Sequence, residues 1–218
     1  MLDVPIVHED TEERLLTGAD LDVESLALAT DGSFWIGEEF GPFLLHADAD
    51  GALLEAPVPL PGGVRSLQSP YLEEGETPSV RASKGFEALA ASPNGKILHP
   101  ILERDDVWGP DAVTKKVYRV DLRRTDADGT LEKTLVIDLL AIPHPDGIGL
   151  AADPGAYGVG ESFSFPMQSV ETVVLLEDGR LLIANDNDDP SNDARYPGTT
   201  DDTEMILIDL GTRRRGRA

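Results

Sequence analysis

Three glutamates, Glu24, Glu87 and Glu171, open three similar stretches: VESLALATDGSFWIGEEF, FEALAASPNGKILHPILE and VETVVLLEDGRLLIANDN. In each, a strand-length apolar run follows the glutamate and ends at a turn dipeptide, Asp31-Gly32, Asn94-Gly95 or Asp178-Gly179. A second apolar run then finishes in oxygen-bearing side chains: Glu38 and Glu39, then Glu103, then Asn185, Asp186 and Asn187. Paired as hairpins, the runs bring the first and last groups of each unit to one end. Carboxylates and amide oxygens gathered this way suit a hard cation, and calcium takes about six to eight such donors. The candidate metal ligands are therefore Glu24, Glu38, Glu39, Glu87, Glu103, Glu171, Asn185, Asp186 and Asn187. Glu39, and His46 just after GEEFGPFLL, are the candidates for proton transfer at that end. A bland alternative stands beside this for any one residue: in so acidic a chain, a strand-end carboxylate can simply face water.

Other chemistries find little footing. The absence of cysteine removes thiolate metal sites, disulfides and cysteine nucleophiles. His8, His46, His99 and His144 form no zinc-type pair. Ser162 and Ser164 lie in GESFSFP without the glycines of a nucleophile elbow, and no phosphate-cradling glycine loop occurs. The segment 184–193, ANDNDDPSND, has the composition of a calcium loop but not the spacing of an EF-hand. A polar turn is the bland alternative, and metal contact is favoured over it because Asp186 and Asn187 also belong to the repeat.

The elements that must hold these groups are strands. The turn dipeptides supply positive φ for two-residue hairpin loops between β-rich runs. Two more strands follow in the first unit, FLLHAD from Phe43 and LLEAPVPL from Leu53, and two in the second, KVYRVDL from Lys116 and LEKTLVIDL from Leu131. The third unit shows one, EMILIDL from Glu204, and DVPIVHE near the N-terminus is the candidate for its missing fourth. Four-stranded repeats of this kind predict an all-β fold of β-propeller type, with about three blades visible. The stretches 59–85 and 142–166 are rich in proline and glycine, lack helical periodicity, and read as long loops. Residues 1–211 read as one domain, followed by a basic disordered tail at 212–218.

With 41 acidic and 18 basic residues among 218, the net charge of -23 repels nucleic acid and anionic membranes and attracts cations. No run is long and apolar enough for a membrane helix, and the first residues lack the pattern of a signal peptide.

Four stretches carry a resemblance to a known family: residues 15–62, 83–103, 115–140, and 162–190 with the following PGTTDDTEMILIDL. They resemble the phytase-like proteins described by an esterase-like activity of phytase, with GEEFGPFLLH and the NDN-type motif as the more specific marks. The resemblance implies a β-propeller, usually secreted or periplasmic, that hydrolyses phosphate or carboxylic esters with calcium. A calcium-dependent lactonase or arylesterase, and a non-catalytic propeller remnant acting as a binding module, are the competing expectations. Relative to the family the chain starts late and lacks about one blade between residues 103 and 115. Three blades would leave open sheet edges, which favour self-association.

Overall fold

A computed structural model describes residues 21–60, 64–69, 71–81, 84–103, 108–125, 127, 131–143, 154–160 and 162–210. The N-terminal strand candidate, His8, His144 and the basic tail lie outside the described residues.

The first unit is a four-stranded antiparallel sheet in chain order: β1 (Val23–Leu28), β2 (Phe34–Glu38), β3 (Phe43–Ala47) and β4 (Val58–Pro59). The second repeats it with β5 (Phe86–Ala91), β6 (Ile97–Leu102), β7 (Lys116–Thr125) and β8 (Leu131–Asp138). A short ribbon of β9 (Ile142–Pro143) and β10 (Ser162–Phe163) follows, inside a stretch expected to be loop throughout. The third sheet has three strands among the described residues: β11 (Thr172–Leu175), β12 (Leu181–Ala184) and β13 (Met205–Ile208).

Each repeat hairpin turns at the expected dipeptide, but through a longer loop than two residues. Leu28 pairs with Phe34, Ala91 with Leu98, and Leu175 with Leu181, so the residues between them form the loop. Only the glycine has positive φ: 88° at Gly32, 64° at Gly95 and 88° at Gly179. The preceding Asp or Asn serves another purpose. The side-chain oxygens of Asp31, Asn94 and Asp178 accept the backbone N–H of Ser33, Lys96 and Arg180, two residues on.

The sheets pack through their first strands, with β5 touching β1 on one side and β11 on the other. Ala27, Trp35, Phe86, Leu89 and Leu98 fill the space between the first and second sheets. Ala88, Ile101, Val117, Val173, Leu181 and Ile183 fill the space between the second and third. Successive four-stranded meanders that face one another across such cores, with their first strands brought together, form a propeller-type architecture. The all-β expectation and the four-strand rhythm hold. At the two ends of the row, Leu26 and Leu28 on β1 and Met205 and Leu207 on β13 are exposed.

Candidate metal centre

Glu24 and Glu87 owe their position to the same irregularity, and Glu171 stands at the equivalent place in the third sheet. Val23 pairs with Glu38 and Ser25 with Gly37, so Glu24 is an extra residue bulged from the ladder. Phe86 pairs with Leu102 and Ala88 with Ile101, which leaves Glu87 in the same state. Glu171 precedes the first pair of the third sheet, Thr172 with Ala184. Backbone hydrogen bonds repeat the geometry: the N–H groups of Glu39, Glu103 and Asp186 donate to the carbonyls of Asp22, Gly85 and Ser169, at 2.9, 3.0 and 3.2 Å. Each acceptor lies two residues before a repeat glutamate. A bulge bends its strand and re-aims the extra side chain, and here it turns Glu24 and Glu87 toward Glu171.

Carboxylate oxygens of Glu24, Glu87 and Glu171 come within 4.8 Å of one another. Glu39, Glu87 and Glu103 form a second such group, and Asp22, Glu24 and Glu39 a third. Glu39, Glu87 and Glu103 are each 5% exposed, whereas Glu24 and Glu171 are exposed at the rim. The result is one continuous acidic basin with a buried floor. Lys84 pairs with Glu103 at 2.6 Å and offsets a single charge.

So many carboxyls cannot all ionise at this spacing. Burial, then hydrogen bonds shared with Glu39 and Glu103, drive the Glu87 carboxyl far above its ordinary value. Glu39 is raised by burial first and then by the charges of Glu103 and Asp22, against the hydrogen bond from Glu87. Glu171 is raised by loss of hydration and by Asp186, Glu103 and Asp188. At the rim, Glu24 is raised to about 7 by partial desolvation and by Asp22. Either protons or a cation must occupy the basin.

The remaining expected ligands do other work. Glu38 is fully buried, and its carboxylate accepts the backbone N–H groups of Phe40, Gly41 and Phe43, so it ties the β2–β3 turn together. Asn185 accepts from Glu204 N–H and donates to the carbonyls of Asp186 and Asp202, which holds β12 to the start of β13. Both side chains are bonded to backbone groups, and Glu38 is not among the carboxylates that converge in the basin. Asp186 matches Glu39 and Glu103 in register and lies beside Glu171. Asn187 accepts the N–H of Asp189 within a turn and lines an open cavity of about 560 Å³ with Asp186, Asp188 and Trp108.

His46 is also misplaced by the sequence reading. It pairs with Trp35 on β2, three residues from Glu38, and so lies roughly 10 Å along the strand from the acidic end. Its ring contacts Ser33 and Glu55, near the hairpin loop. Sequence reasoning overlooked Asp22 and Lys84. Asp22 stands two residues before Glu24, but the equivalent positions in the other units are Gly85 and Ser169, so no repeated signal marked it.

A profile described as phytase-like, esterase-like activity of phytase, matches residues 4–105 and 100–189. This chain belongs to the phytase-like family. Its two matched stretches meet at residues 100–105, close to where an internal blade was expected to be missing. An uncharacterized secreted protein of Arthroderma benhamiae is 31% identical over 131 residues, which is 52% of this chain and 25% of the relative. The chain thus spans about a quarter of the length of that curated relative.

Solved structures show distant likenesses. The aldose sugar dehydrogenase of Streptomyces coelicolor, in its PQQ-bound form, is 13% identical with a TM-score of 0.43, covering 78% of this chain and 39% of its own. A Bacteroides caccae protein of unknown function is 12% identical with a TM-score of 0.37, covering 96% and 66%. The blade assignment rests on the strand pairing rather than on these.

Proposed function

We propose that this phytase-like chain holds a calcium ion in the acidic basin and hydrolyses small esters there, phosphate esters first and carboxylic esters second. The observation that carries the reading is the convergence of Glu24, Glu87 and Glu171, one from each sheet, within 4.8 Å. That span is about twice a calcium–oxygen distance of roughly 2.4 Å, so the three can share one large hard cation. A set made only of carboxylates also fits calcium better than softer transition metals.

When bound, a divalent cation supplies Lewis-acid polarisation of the ester and positive charge against the transition state. The chain's own residues do the rest. Glu87 at the floor would lose its proton to serve as a ligand. Glu24 and Glu171 at the rim would supply further donors and face the solvent from which substrate arrives. Glu39, buried next to Glu87 with a raised carboxyl, is placed to take a proton from attacking water. Lys84 places a positive charge against Glu103 through their 2.6 Å contact.

Turnover of an aryl phosphate and of an aryl carboxylic ester, each with calcium and with chelator, tests this. Chelator-sensitive turnover of either that is lost in Glu87→Gln supports the reading. Turnover that ignores both chelator and Glu87→Gln, or no turnover at all with calcium bound, refutes it.

A further inference from the structure

At the opposite end of the first sheet, three side chains stand in sequence across a second pocket. The Ser33 hydroxyl lies 3.1 Å from His46 Nε2, and His46 Nδ1 lies 2.8 Å from Glu55 Oε1. The imidazole is held flat on the Trp35 ring, with centroids 4.3 Å apart and planes within 4°. Backbone pairing fixes all of this: Trp35 faces His46 across β2 and β3, and the N–H of Leu54 donates to the His46 carbonyl at 2.8 Å, which sets Glu55 beside the ring. Ser33, His46 and Glu55 all line one pocket of about 490 Å³.

We propose that Ser33, His46 and Glu55 form a second, metal-independent site that cleaves small carboxylic esters through an acyl-serine. A nucleophile within reach of a base, with the base oriented by a carboxylate, is the arrangement that covalent acyl transfer needs. Lys96 and Arg123 also line the pocket, with Arg123 paired to Asp121 at 2.7 Å. Apolar Pro57, Val58 and Leu131 form another part of its wall.

Asp31 completes the proton arrangement. Its Oδ1 accepts the Ser33 hydroxyl at 2.6 Å, so at rest the proton points away from His46. Hydrogen bonds from the Ser33 hydroxyl and backbone N–H hold the Asp31 carboxyl below its ordinary value. It therefore remains an ionised acceptor and a weak base, while an imidazole is a much stronger one. Rotation about the Cβ–Oγ bond of Ser33 delivers the proton to His46 Nε2 as Oγ bonds to the ester carbonyl carbon. The bond to the alcohol oxygen then breaks, and the alcohol leaves with the proton from Nε2. Water next attacks the acyl-Ser33 ester, passes one proton through Nε2 to Oγ, and releases the carboxylic acid. Glu55 is a positioning residue that orients the ring.

The test is labelling of the full chain, in EDTA, with an alkyl fluorophosphonate, followed by digestion and mass spectrometry. Chelator separates this site from the acidic basin, so either can fail alone. The adduct is expected on Ser33. His46→Gln should slow labelling at least tenfold. Glu55→Gln should slow it less, and Glu55→Asp should restore part of the rate by keeping a carboxylate beside the ring. No adduct on Ser33 while a control serine esterase is labelled overturns the proposal, without need of any variant. Labelling of His46→Gln at the wild-type rate overturns it as well.

Discussion

Glu24 and Glu87 each occupy the extra position of a β-bulge in the first strand of their sheet, and their carboxylates meet because those strands, β1 and β5, pack side by side. A regular ladder would alternate Glu87 into the core with Leu89 and Glu24 onto the exposed face with Leu26 and Leu28. The bulge sends them to a shared end, and it leaves Glu87 buried among like charges.

That burial gives Glu87→Gln two effects of opposite sign. Without a divalent cation, the neutral isostere removes the most raised carboxyl of the cluster and relieves its neighbours. The melting temperature in EDTA should rise, by about 3 °C for each kcal/mol gained in a chain of this size. With calcium present the same variant should melt below wild type. Differential scanning calorimetry in the two buffers checks both signs.

Stability in chelator should fall as pH rises. Burial, opposed by three backbone N–H groups, pushes Glu38 up to about 7 from an ordinary 4.5, and Glu39, Glu87 and Glu171 are raised as well. The native state therefore binds more protons than the unfolded chain. For Glu38 the stabilisation is complete below about pH 4.5 and is lost through pH 7, at up to roughly 1.4 kcal/mol per pH unit, while the contribution of Glu87 extends to higher pH. Urea midpoints at pH 5 and pH 8 measure it. Calcium should flatten the slope by replacing the protons in the basin, while the contribution of Glu38 persists.

Gly85 allows the first two sheets to approach. A Cβ there would lie 2.2 Å from the Glu39 carbonyl oxygen, a backbone atom that cannot swing aside. Gly85→Ala should cost about 1–3 kcal/mol of stability. Because the Gly85 carbonyl also accepts the Glu103 N–H, the variant should weaken calcium binding too. Urea unfolding and a calcium titration of one preparation report both.

The sequence showed the hairpins because the Asp-Gly and Asn-Gly turns and the apolar runs are local signals. Equal spacing in all three units also placed Glu24, Glu87 and Glu171 at one end. Whether Glu38 or Glu39 reaches the basin was not legible, because adjacent strand residues face opposite ways and only the register decides. Glu38 turned inward to the backbone N–H groups of its own turn. Asn185 was hidden for the same reason. His46 was placed with the acids by its nearness to Glu38 and Glu39 in sequence, yet antiparallel pairing carries it back toward Ser33. The Ser33–His46 contact spans thirteen residues and has no sequence motif to mark it.

The central claim, that one cation is shared by glutamates from three sheets, is tested most directly by calorimetric titration of calcium into the apo chain and into Glu24→Gln, Glu87→Gln and Glu171→Gln. The account predicts saturable, EDTA-reversible binding to wild type, weakened at least tenfold by each substitution although the three residues belong to different sheets. No binding at millimolar calcium, or wild-type affinity in Glu87→Gln and Glu171→Gln, would contradict it.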